Sequence, residues 1–257
     1  MNVIRIKMPD GGAERFKPFT VKDYRDFLLV SADMKGNPLE EQLILDELLE
    51  ELYPDVDPIF REYIFLNVFT SSIGKTKLPL SFKCPTCGKE KRILLNLAVP
   101  ALQPIVLETA GLKIKFKYVK PSTDYAKTFL EAIESVSDGD NEYTWTELPE
   151  EVRDQVIDSI SFAEFETIVK KMHTILIEQK IKCCDTHELR YTDLLGLYKL
   201  ILNPDELFTF YRINHLLVKS SYSFGDLMDM LPVERNIALT LVEKDVKEAN
   251  NAKTRIS

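Results

Sequence analysis

Two cysteine-bearing turns, one hundred residues apart, constrain this chain more than any other feature. The first, Cys84-Pro85-Thr86-Cys87-Gly88, follows a stretch in which Leu78, Leu80 and Phe82 alternate with polar or small residues, and Lys91 to Leu97 returns as a second strand. The second, Cys183-Cys184-Asp185-Thr186-His187, ends another alternating stretch, Ile175 to Cys183. Laying Cys184-x-x-His187 over Cys84-x-x-Cys87 aligns two strand ends, each offering two ligands from one tight turn. Zinc in structural sites takes four sulfur or nitrogen ligands in a tetrahedron, and Cys₃His leaves no open catalytic position. The expected metal ligands are therefore Cys84, Cys87, Cys184 and His187, with Cys183 as the alternative to Cys184, and the zinc would be structural. The competing reading is a degenerate knuckle whose hairpin stands without metal, its second cysteines packed as small hydrophobes. Either way the clusters are spaced like metal ligands and not like a secreted disulfide framework, which fits a reducing compartment.

Around these turns the periodicity is mostly helical. Val3 to Met8 alternates like a strand and runs into the Gly11-Gly12 turn. Thr20, with Asp23 three positions on, opens a helix to about Met34; Pro38 and Asp57-Pro58 open helices over Leu39 to Leu52 and Ile59 to Thr70. Leu112, Ile114, Phe116 and Tyr118 alternate with Lys113, Lys115 and Lys117, the clearest strand pattern in the chain, expected to join the hairpin sheet. Ser122 is a candidate cap for a helix through about Val136, and Ser137 to Glu147 has the composition of a surface loop or boundary. Ser161-x-x-Glu164 is a capping box ahead of Phe162 to Met172. Asn203-Pro204, Ser223-x-x-Asp226 and Pro232 begin three further helices, the last a long charged one to about Ala252. The expectation is an α+β fold, predominantly helical, with a small antiparallel sheet carrying a zinc-knuckle-like hairpin. Residues 1–136 would hold the N-terminal helices and knuckle sheet, 137–160 a loop and connecting helix, and 161–257 the second knuckle-like strand and C-terminal helices, or the whole would be one continuous domain.

Several functions are disfavoured. The formal charge is −8 and no Lys/Arg block interrupts the mixture, so nucleic acid is not an expected partner. Apolar runs such as Ile59 to Phe69 are too short to cross a bilayer, and Met1 to Asp10 lacks a signal-peptide core, which points to a cytoplasmic protein without a membrane partner. Gly74-Lys75-Thr76 resembles the end of a phosphate loop, but Phe69 stands where that loop requires glycine. His173 and His215 lie in apolar segments without a nucleophile pattern, and the acidic residues Glu50, Glu51, Asp55 and Asp57 read as a solvated helix end. No catalytic constellation or small-molecule site emerges, so the chain reads as a non-enzyme. The run Phe208, Phe210, Tyr211, Leu216, Leu217, Phe224, Leu227, Met228 and Met230 reads as core, with an exposed docking surface as the alternative.

Three landmarks carry a family resemblance. Phe16-Lys17-Pro18-Phe19-Thr20-Val21-Lys22-Asp23-Tyr24, then Phe65 to Thr76 leading into Ser81-Phe82-Lys83-Cys84-Pro85-Thr86-Cys87-Gly88, then Tyr222-Ser223-Phe224-Gly225-Asp226-Leu227-Met228-Asp229-Met230-Leu231-Pro232-Val233-Glu234-Arg235 occur in order. Together they resemble the T4-like bacteriophage baseplate hub and hub-assembly proteins. The family often carries a second Cys-x-x-Cys where this chain has Cys184-x-x-His187. The resemblance implies a non-enzymatic tail morphogenesis protein that helps assemble the central hub, as hub subunit or as chaperone. It implies the other hub proteins and the spike as partners, with the tape-measure protein as a further candidate. The implied location is the host cytoplasm during assembly, with the virion tail baseplate as the alternative destination. A cytoplasmic zinc-containing adaptor unrelated to phage tails is the alternative function.

Overall fold

The computed structural model describes residues 3–120, 124–139 and 141–254. A short hairpin opens the chain, β1 (Ile4–Lys7) with β2 (Ala13–Phe16), paired from Ile4↔Phe16 to Lys7↔Ala13. Three helices follow: α1 (Val21–Gly36), α2 (Glu41–Leu52) and α3 (Pro58–Ile73). Thr20 and Asp23 close the expected capping box at α1, satisfying donors that the first helical turn leaves unpaired. Asp57 caps α3, whose far end stops at Gly74 in the left-handed conformation (φ 69°). The glycine of the phosphate-loop lookalike is thus a helix terminator.

The hairpin β3 (Lys77–Lys83) and β4 (Glu90–Asn96) comes next, then a four-stranded antiparallel sheet in the order β5 (Ile105–Thr109), β6 (Leu112–Phe116), β7 (Ile133–Ser137), β8 (Glu142–Thr144). Here three expectations are corrected. The strand beginning at Leu112 does not join the cysteine hairpin. Ala110 and Gly111, both at positive φ (48° and 79°), make a two-residue turn that folds β6 back on β5, which had no readable signal of its own. The helix expected through Val136 ends at Ala132, as α4 (Tyr125–Ala132), and the chain continues directly as β7. Ile133 and Val136 are β-branched and buried, and they gain more against the sheet than from another helical turn. The supposed loop over 137–147 contains β8 and a 3₁₀ turn, Trp145–Glu147. Ser122 lies outside the described residues; α4 is capped by Asp124, which accepts from the Lys127 N–H.

Helices α5 (Glu150–Asp158) and α6 (Phe162–Met172) pack near this sheet, with the Ser161/Glu164 capping box formed at α6. A second hairpin, β9 (Ile177–Lys182) and β10 (Thr186–Tyr191), leads to α7 (Leu194–Ile201), a 3₁₀ turn at Pro204–Glu206, and α8 (Leu207–Lys219), α9 (Phe224–Asp229) and α10 (Pro232–Thr254). The fold is α+β, mainly helical, with all its sheets small and antiparallel.

Two main cores organise these elements. The larger combines Phe27, Leu28, Ile64, Phe65, Leu66 and Leu95 with Leu194, Tyr198, Phe210 and Met228, so the C-terminal helices complete it. Phe65 is fully buried, with Phe19, Phe27, Phe69 and Tyr198 at ring distances of 5.2–5.9 Å. The Tyr198 hydroxyl donates to the Phe27 carbonyl (2.9 Å). Among the described residues the smaller core draws only on 105–172, including Ile114, Phe116, Phe129, Trp145 and Met172. Tyr118 packs against both.

Candidate metal centre

Each cysteine turn tops a hairpin whose base is anchored in the larger core. Leu95 and Leu97 anchor the first, Ile175 and Ile177 the second, so neighbouring roots bring the two tips together. In the first turn the Cys84 N–H donates to the Lys89 carbonyl and the Gly88 N–H to the Cys84 carbonyl (both 2.9 Å), with Gly88 at φ 70°. This leaves the N–H groups of Thr86 and Cys87 directed at the Cys84 sulfur. In the second turn the Cys183 N–H donates to the Asp185 carbonyl (2.8 Å) and the Thr186 N–H to the Asp185 carboxylate (2.7 Å). The Lys91 ammonium donates to the Lys182 carbonyl and ties one hairpin to the other.

The sulfurs of Cys84, Cys87, Cys183 and Cys184 all lie within 4.8 Å of one another. Cys84 and Cys184 are 3.6 Å apart, Cys87 and Cys183 3.5 Å. Four sulfurs at the zinc–thiolate bond length of about 2.3 Å would stand about 3.8 Å apart at the corners of a tetrahedron. Donor type, number and spacing therefore fit a thiophilic ion. The His187 ring is placed beside this group by β10, its Nε2 3.2 Å from the Cys84 sulfur and its ring 5.7 Å from that of Phe82.

Electrostatics favour one thiolate first. Burial pushes the Cys84 thiol up, but hydrogen bonds from the backbone N–H groups of Cys87 and Thr86, and from the thiols of Cys87 and Cys184, bring it down to about 5. The neighbouring Cys84 sulfur, with some burial, pushes Cys184 up to about 11, and Cys183 is raised chiefly by its hydrogen bond to Cys87. A cation that collects all the sulfurs takes the place of these S–H donors and neutralises the charge that would otherwise build up on adjacent thiolates.

The structure thus brings together Cys84, Cys87, Cys183 and Cys184, with His187 against Cys84. Strand β10, which presents His187, was missed, although Leu189 and Tyr191 alternate with exposed Glu188 and Arg190. Of the other histidines, His215 is exposed on α8. His173 follows α6 with a buried, unpaired Nδ1, and burial lowers its pKa. It lines a cavity of about 680 Å³ together with Glu62, Tyr118, Lys120 and Asp193.

The apolar run in the C-terminal third divides. Phe210, Leu217, Leu227 and Met228 are buried, while Phe208, Tyr211, Leu216 and Phe224 are exposed, Phe208 at 75 %. On α10, Arg235, Ala238 and Val242 face inward and Ile237 and Leu241 outward. Among the described residues no helix is long and apolar enough to cross a membrane.

Residues 201–247, the segment that builds α8, α9 and most of α10, match the baseplate hub assembly protein Gp51 C-terminal domain. No curated protein and no solved structure matches the chain. Residues 1–199, which include both cysteine turns, match the family described as T4 bacteriophage base plate protein, and the chain belongs to that family.

Proposed function

We propose that this protein is a non-catalytic assembly factor of the phage tail, which helps build the baseplate central hub and docks on other hub proteins through its C-terminal helices. The observation that carries this reading is a coincidence of position. The segment that matches a hub-assembly domain is also the one that exposes Phe208, Tyr211, Phe224, Ile237 and Leu241. Large exposed apolar side chains gathered on neighbouring helices are characteristic of protein-binding surfaces. The family's other hub components and the spike are the partners this reading implies, with the tape-measure protein as a further candidate, met in the host cytoplasm during assembly. The unrelated-adaptor alternative loses its support, because family matches cover residues 1–199 and 201–247.

In this reading a zinc ion at the cysteine turns is structural: it supplies a cross-link between hairpins, and the chain's own N–H donors orient the sulfurs. Removing residues after Asn203 is a poor test of docking, since Phe210 and Met228 belong to the larger core and the Val21 N–H donates to the Met230 carbonyl (2.8 Å). Phe208→Asp with Leu241→Asp is the cleaner perturbation. It should leave folding intact and weaken hub-partner binding by roughly tenfold or more. Unchanged binding in a pull-down with purified hub proteins would remove the C-terminal helices from the interface.

Quantitative peptide mass spectrometry on hub intermediates and finished particles tests the transient role. Presence in intermediates and absence from particles is expected of an assembly factor. A small fixed copy number per particle would instead make the protein a hub subunit.

A further inference from the structure

We infer that the metal is held by four thiolates, Cys84, Cys87, Cys183 and Cys184, and that His187 is a positioning residue donating an N–H to the Cys84 sulfur from outside the coordination shell. This inference rests on the metal-site reading above and specifies its chemistry. Adjacent residues in a strand point to opposite faces, so Cys183 and Cys184 could not share an ion if β9 continued through them. It does not: β9 ends at Lys182 and the chain bends over residues 183–185, which turns both sulfurs to one side. That bend is what admits Cys183 to the group of four mutually close donors, a group in which His187 has no place. His187 instead contacts the single sulfur of Cys84, on the flank where Phe82 meets its ring.

Charge supports the same assignment. Four thiolates around a divalent cation leave a net charge of −2. Segments 82–92 and 181–188 carry Lys83, Lys89, Lys91, Arg92 and Lys182 against Glu90, Asp185 and Glu188, five positive charges against three, or +2. A Cys₃His centre, one charge less negative, would need less of this basic collar. An N–H from His187 adds to those from Thr86 and Cys87 in dispersing charge on Cys84, the most buried of the four sulfurs' residues at 1 % exposure.

The test is zinc X-ray absorption on the full-length protein, purified under reducing conditions, with metal stoichiometry measured on the same samples. The expected wild-type result is one zinc per chain and a single sulfur shell at about 2.3 Å, with no nitrogen at about 2.0–2.1 Å. His187→Gln should keep one zinc and four sulfurs while releasing the metal to a chelator about 10- to 100-fold more readily, as loss of an outer-shell donor does. Cys183→Ser should lose one sulfur from the shell or lose the zinc. A nitrogen scatterer in the wild type that disappears in His187→Gln overturns the ligand assignment alone. Failure of the wild type to bind added zinc overturns the metal site altogether. Because the wild-type spectrum separates these outcomes, a variant that fails to fold does not blunt the test.

Discussion

Replacing Phe65 by alanine should destabilise one core and leave the other nearly untouched. Phe65 is fully buried on α3 and meets four aromatic rings, so its removal leaves a cavity that neighbours as stiff as Tyr198 and Phe27 cannot fill. Truncations of this type cost about 3–5 kcal/mol. With a urea m-value of about 2 kcal/mol per M, the transition of the larger core should fall by about 1.5–2.5 M. The smaller core is assembled wholly from residues 105–172 and meets the larger through Tyr118, the exposed Lys120–Asp46 ion pair (3.7 Å) and the walls of a cavity. None of the rings that Phe65 meets belongs to the smaller core, and substitutions at sites without shared partners act independently within about 0.5 kcal/mol. The single tryptophan, Trp145, lies in the smaller core, so its fluorescence reports on that unit while far-UV circular dichroism reports mainly on the helix-rich remainder. The expected result is a large shift by circular dichroism and a shift below about 0.3 M by fluorescence. Coincident displacement of both curves would refute the independence of the two cores.

Gly74→Ala should cost about 1–2 kcal/mol in urea denaturation, because the left-handed conformation penalises a Cβ that would also sit 3.2 Å from the Val233 side chain. Thr20→Ala removes half of the α1 capping box and should cost about 1 kcal/mol by the same measurement. Glu62 is half-buried, and burial raises its carboxyl pKa against the opposing pull of the Leu194 N–H and Lys120. A carboxyl whose folded pKa is raised favours the folded state when protonated and opposes it once ionised, so that stability falls as pH rises through the ordinary carboxylate range. Glu62→Gln should therefore melt higher than the wild type at neutral pH, and the difference should shrink as pH is lowered toward about 4. Melting curves that stay parallel across that range would dismiss the role of burial at Glu62.

Legibility in the sequence followed the range of the interactions. Helices α1, α3 and α6 carry their signals within a few residues, in caps and apolar periodicity, and they form close to where Thr20, Asp57 and Ser161 place them. The α+β class and the pairing of the two cysteine turns were also readable, because both turns keep ligand-type residues at fixed spacing. What failed was decided by distant partners. Ile133 to Ser137 has enough helical periodicity to extend α4, and only contact with β6 and β8 selects the strand. The Ala110-Gly111 turn diverted β6 from the cysteine hairpin, although a single glycine is a faint signal for a two-residue turn. At the cysteine turns, residue types alone could not rank His187 against Cys183. That ranking depends on the bend over residues 183–185, and no residue-type rule for strands anticipates where β9 stops.

The nesting of one core inside the sequence of the other also sets an order of birth. On a ribosome adding about 5–20 residues per second, some 5–20 s separate the emergence of Cys84 from that of Cys183. Within that interval residues 105–172 become complete, and their contacts are local enough for rapid folding. The larger core must wait for Tyr198, Phe210 and Met228, so its first three helices emerge without the partners that will cover them. The helices that expose Phe208, Ile237 and Leu241 emerge after the smaller core and after α1 to α3, which delays any docking surface they form until the body beneath them can close.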